Sequence, residues 1–145
     1  MANSVMQDRQ GPDWPLGLFA PTPGTPVNIM SLVDSANAGA PNTATAPTTP
    51  EYANLVHKIT FWGVKAGAGP PSLANNTGLL YIVRVPNSGG AGNATDKGAI
   101  VAIVPAGGVY TIEVDSRTGT MLSPYRYLVD VDTAGDGALV TAFVY

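Results

Sequence analysis

One histidine, His57, two glutamates, Glu51 and Glu113, eight aspartates and no cysteine are the groups with which this 145-residue chain could do acid–base, nucleophilic or metal chemistry. A Ser-His-Asp relay is formally available, because serines and aspartates occur. But His57 falls in line with Leu55 and Ile59 in an alternating stretch. Nothing around a serine has the strand–turn–helix form of a nucleophile elbow, so His57 reads as a structural side chain. A glycosidase needs two carboxyls facing each other across a cleft, whereas the aspartates mostly lie in or beside turn sequences. A single histidine without cysteine leaves zinc without its usual ligands. The expectation is a protein with no catalytic residue, no metal and no cofactor, and therefore not an enzyme.

Two stretches invite a ligand reading. Asp130-Val-Asp132-Thr-Ala-Gly135-Asp136-Gly137 has the D-x-D and glycine spacing of a calcium loop. Its fifth position is Ala134 and its twelfth is Thr141, so a ligand and the bidentate glutamate are missing. Asp130 and Asp132 are instead expected to end a strand, with Gly135 to Gly137 making a hairpin turn. Gly89-Gly90-Ala91-Gly92 is not followed by the Lys-Ser/Thr of a phosphate-binding loop and reads as a plain connection. Asn75-Asn76-Thr77 and Asn93-Ala94-Thr95 match a glycosylation pattern without a secretion signal and carry no weight. Trp62, next to Phe61, could be a sugar-stacking platform, but an interface or second-layer core position is the plainer reading.

These residues would be carried by strands. From residue 51 onward the hydrophobic period is two. Leu55, Ile59 and Phe61 oppose Lys58 and Thr60. Leu79, Tyr81, Val83 and Val85 form one face, with Arg84 on the other. Tyr110, Ile112 and Val114 alternate with Thr111 and Glu113, and Tyr125, Tyr127, Val129 and Val131 alternate with Arg126 and Asp130. Ala99 to Val104 is apolar on both faces and is expected to be a central, covered strand. Ala138 to Tyr145 closes the chain as a further strand. Turn chemistry separates them at Gly67–Pro71, Pro86–Gly90, Pro105–Gly108, Ser116–Gly119 and Ala134–Gly137. Eight of the thirteen prolines fall in residues 1–50, and proline fixes φ and lacks a donor. That segment is expected to be an extended arm with one strand, Val27 to Val33, ahead of a sandwich domain at 51–145. Trp14, Leu16, Leu18 and Phe19 are large apolar groups within the arm that pack either on their own domain or on a neighbour, and are the candidate partner-binding residues. About seven strands at short spacing predict an all-β fold, a β-sandwich or jelly roll with an extended N-terminal arm.

Composition narrows the partners. Charged residues are 12% of the chain, about half the usual quarter, so the surface suits burial against other subunits. The net charge is −3, with only four arginines and three lysines. No clustered basic surface for nucleic acid is visible, nor a basic amphipathic segment for a membrane surface. The N-terminal MANSVMQDRQ has no apolar leader core, and the expectation is a protein made in a cytoplasm.

The C-terminal half also resembles a known group. Asn76-Thr77-Gly78-Leu79-Leu80-Tyr81-Ile82 is similar to a strand of small tailed-phage virion proteins. Ile103-Val104-Pro105-Ala106-Gly107-Gly108-Val109 resembles the Pro-Gly corner that follows in them. Tyr127-Leu-Val-Asp130 through Gly135-Asp-Gly-Ala-Leu-Val-Thr141 resembles their closing hairpin. These are all-β decoration, or cement, proteins and related head or tail components, and the likeness covers roughly residues 55–145. It implies attachment to a major capsid protein in the virion, assembly in the host cytoplasm, and self-association as trimers or dimers, with a homotrimer expected. It also implies termini that lace neighbouring subunits together, and it brings no catalytic residues. The competing reading is a receptor- or glycan-binding module of a fibre or other tail or vertex protein.

Overall fold

The computed structural model describes residues 13–32, 55–65, 74–84, 99–118 and 120–144. Eight strands are formed by these residues: β1 (Asp13–Phe19), β2 (Val27–Asn28), β3 (Lys58–Gly63), β4 (Leu80–Arg84), β5 (Ala99–Val104), β6 (Val109–Glu113), β7 (Tyr127–Val131) and β8 (Ala138–Phe143). Short 3₁₀ turns at Ser116–Thr118 and Pro124–Arg126 precede β7. The strands make two antiparallel four-stranded sheets, ordered β1-β8-β3-β6 and β2-β7-β4-β5. The fold is an all-β sandwich.

Side-chain alternation explains the packing. Ile59 and Phe61 of β3, Val140 and Ala142 of β8, Leu80 and Ile82 of β4, and Val129 and Val131 of β7 are all buried between the sheets. With apolar side chains every second residue, each strand has one face that must leave water, and stacking two such sheets satisfies both. On the other face of β3, the Thr60 hydroxyl lies 3.2 Å from that of Thr111 on β6. Lys58 stands 4.3 Å above the Phe143 ring of β8.

Several expectations are corrected. The sandwich does not begin at residue 51. β1 pairs with β8 from Asp13↔Phe143 to Phe19↔Ala138, and β2 pairs with β7, so each sheet takes a strand from the first fifty residues. Pro15 and Gly17 conceal β1 in the sequence, because both discourage a strand. A proline is tolerated on an edge strand, which β1 is, and the register slips between Pro15 and Gly17 as in a bulge. The expected strand Val27 to Val33 shortens to Val27–Asn28, followed by a turn in which Asn28 Oδ1 accepts from Met30 N at 2.9 Å. On β4 the face packed into the core cluster is Leu80 and Ile82; Val83 is also buried but stands outside that cluster, and Leu79 and Tyr81 are more exposed. β5, expected to be central, is an edge strand that, among the described residues, pairs with β4 alone.

The closing hairpin is also corrected. β7 and β8 belong to different sheets, so Ala134–Gly137 carries the chain across the sandwich instead of folding it back. Gly135, at φ +90°, supplies the left-handed residue of that crossing. The remainder of the expected arm, residues 1–12 and 33–50, lies outside the described residues, as do the turns at Gly67–Pro71 and Pro86–Gly90.

Candidate functional site

The acidic stretch at residues 130–137 and the Asn76–Leu79 segment are joined into one corner. Asp136 is fully buried. Its Oδ1 accepts from Thr77 N at 2.9 Å and its Oδ2 from Gly78 N at 2.7 Å. Asn76 donates to Gly137 O at 2.8 Å and accepts from Gly137 N at 2.9 Å. Asp132 Oδ1 accepts from Leu79 N at 2.9 Å, and Asp130 Oδ1 from Gly24 N at 3.1 Å. Asn76, Asp132 and Asp136 tie the β3–β4 connection to the β7–β8 crossing, while Asp130 ties β7 to the β1–β2 connection. Both carboxylate oxygens of Asp136, and one oxygen each of Asp130 and Asp132, are engaged by main-chain donors. Among the described residues, no three such side chains are gathered to hold a metal ion.

Gly78 is part of the same corner. A Cβ there would overlap the Asp132 carboxylate and the Thr133 hydroxyl. Gly78→Ala is therefore expected to destabilise the fold by about 1–3 kcal/mol, the cost of overfilling a packed site. Urea denaturation measures this, and an unchanged midpoint would show that the corner yields freely.

The four candidate partner-binding residues are divided by the structure. Trp14, Leu16 and Phe19 are each only 2% exposed and belong to the core of their own chain, so their role as contacts for a partner is corrected. Leu18, paired with Leu139, is half-buried. His57 continues the β3 ladder through its main chain, donating to Phe143 O at 2.8 Å and accepting from Val114 N at 3.0 Å. Trp62 is half-buried, in register with Val109 and Leu139.

The feature that stands out as a surface is β5. Its sequence is Ala-Ile-Val-Ala-Ile-Val, without a charge or a proline. Ile100 is 58% exposed and Ile103 56%. The register with β4 slips between Ile82 and Val83, so that Ile103 lies opposite Tyr81 and Ile100 opposite Val83. Both isoleucines therefore stand on the face of the sheet that points away from the core. Beside them a groove of about 210 Å³ is lined by Gly24, Pro26, Tyr81, Val83, Ile100 and Asp130. The sequence signal for this surface was the same apolar run that suggested a central strand. A second feature, Arg84 and Arg126 beside Tyr127, joins residues 42 positions apart, and no spacing rule could have linked them.

No protein-family model matches the chain, and neither a curated protein nor a solved structure shows significant similarity to it. The class that can be stated is that of two-sheet, all-β sandwich proteins, here with an apolar strand at the edge of the described sheet.

Proposed function

We propose that this protein is a structural virion component of the cement or decoration type, which binds and stabilises a phage capsid shell through its exposed β5 edge. The observation that carries the reading is β5 itself. Natural sandwiches guard open edges with charges, prolines or cover. Here the open edge offers apolar side chains and a row of main-chain groups, the features a neighbouring strand can pair with. The strand order supports the reading. Orders β1-β8-β3-β6 and β2-β7-β4-β5, with β4 and β5 the one sequential pair sharing a sheet, correspond to an eight-stranded jelly roll, a fold common among viral capsid domains. The partner is a major capsid protein, and copies of this chain repeated around a shell gain avidity from modest single contacts. The reading assigns the protein no reaction, and places it in the virion.

Apolar and main-chain contacts predict little salt sensitivity. The protein is expected to stay on purified shells in about 1 M NaCl, where the Debye length is about 3 Å. Ile103→Lys is expected to lower its retention at least about tenfold, since a lysine placed in an apolar contact loses solvation. Quantifying the shell-bound chain after sedimentation checks both. Release by salt alone, with Ile103→Lys bound normally, would reject the apolar edge as the contact.

A further inference from the structure

Among the described residues each sheet has two edge strands, β1 and β6 in one and β2 and β5 in the other. Three of them carry guards. β1 contains Pro15 and a register slip, β2 is two residues long and follows Pro26, and β6 ends in the exposed Glu113. Proline, irregularity, shortness and charge are what keep an edge from pairing with another chain. β5 has six residues with neither charge nor proline. Its one irregularity, the slip against β4 at Ile82/Val83, brings Ile100 and Ile103 onto the same outer face and so adds apolar surface to the edge.

An aliphatic edge of this kind is a hazard to a chain that must stay dispersed until it meets its partner. A like chain can cover it in two ways. Head-to-tail pairing would set β5 of one copy against a different edge of the next. Those edges are guarded, and such a contact propagates without closing. Pairing β5 with β5 about a two-fold axis uses one edge twice and closes at two copies. The strand suits the second arrangement. Its sequence, Ala-Ile-Val-Ala-Ile-Val, is a doubled triplet, so antiparallel apposition about its centre sets Ile100 across from Ile103 of the second copy. The chain has a net charge of −3, yet none of it lies on β5. Two identical chains therefore bring this edge together without setting like charges opposite each other, which would oppose pairing.

We propose that, away from the shell, two copies pair their β5 strands antiparallel, and that this dimer keeps the edge closed until a shell takes it. The inference rests on the reading of β5 as the shell-binding edge. It adds that an edge already paired has no free side, so self-pairing and shell binding exclude each other. The size of the contact fits a reversible device. Six residues at about 3.3 Å each give a seam of about 20 Å, whereas a standard interface engages about 20–30 residues a side. The dimer is therefore weak, with a dissociation constant of about 1 μM or above. The many repeated sites of a shell outcompete it through avidity.

Sedimentation velocity of the full chain without shells, from about 1 μM to about 1 mM, spans the affinity of a contact this small. A monomer–dimer equilibrium is expected, with the dimer lost on dilution. Ile103→Lys and, separately, Ile100→Lys should each weaken it at least about tenfold, because an ammonium in the seam loses solvation. Both isoleucines are more than half exposed in the single chain, and circular dichroism checks that the variants keep the fold. Val109→Lys, at a comparably exposed position on β6, should dimerise as the wild type does. The chain has no cysteine, so Ile100→Cys combined with Ile103→Cys and oxidised gives a dimer locked across the seam, which should stay off shells until it is reduced. A monomer or a trimer at every concentration, or a dimer that survives both lysine substitutions, would overturn self-pairing; the shell reading would still stand if Ile103→Lys comes off shells. A locked dimer that binds shells as well as the reduced chain would overturn the exclusion and the choice of β5 as the shell contact, while the dimer itself would stand.

Discussion

A chain beginning at Thr25 is expected to lose its cooperative unfolding transition. Truncation there removes β1, and with it Trp14, Leu16 and Phe19, three of the side chains that fill the space between the sheets. Each is worth about 1.5–3 kcal/mol when fully buried. Together they approach the whole stability of an ordinary domain, about 5–15 kcal/mol. The truncation also strips β8 of its partner from Asp13↔Phe143 to Phe19↔Ala138, leaving a buried, apolar strand as a new open edge. The single substitution Phe19→Ala isolates the packing contribution and is expected to cost about 3–5 kcal/mol. Urea titrations followed by circular dichroism measure both. A truncated chain that unfolds cooperatively near the wild-type midpoint would mean that β1 is dispensable to the fold, and would return Trp14 and Phe19 to the role of contacts for another subunit.

Asp136→Ala is expected to be the most damaging change at a polar residue. The carboxylate is wholly enclosed and serves two main-chain donors, Thr77 N and Gly78 N. Removing it takes the acceptor from two part-buried amides; a hydrogen bond to a charged group contributes about 1.5–3 kcal/mol, so the loss should be about 3–6 kcal/mol. Because those oxygens are engaged by main-chain donors, millimolar calcium should leave the thermal midpoint of the wild type and of the variant where they were. Differential scanning calorimetry with and without calcium reads both effects. A calcium-dependent rise in the wild-type midpoint that disappears in Asp136→Ala would instead make the corner a metal site.

Local alternation determined much of this protein. The two-residue period of Lys58–Gly63, Val109–Glu113, Tyr127–Val131 and Ala138–Phe143 is written in the side chains, because a strand with one wet and one dry face needs that pattern. Prolines and glycines marked where strands stop, since φ and donor restrictions act within a few residues. The scarcity of charge was equally plain.

Partnership was decided only by the tertiary structure. Ala99–Val104 is apolar on both faces, and nothing local states whether a strand lies beyond it, so a central strand and an exposed edge read alike. The register slip in β1 turns Trp14, Leu16 and Phe19 inward and leaves Leu18 outward. A strict alternation would have put Leu18 with Trp14 and Leu16. Asp136-Gly137 looks like a hairpin turn, yet it spans two sheets, because the carboxylate finds its donors at Thr77 and Gly78, more than fifty residues away. Arg84 and Arg126 line one pocket because Arg84 pairs with Tyr127, the residue after Arg126. In each case the deciding contact joins distant parts of the chain, and its energy depends on neighbours that no short window contains.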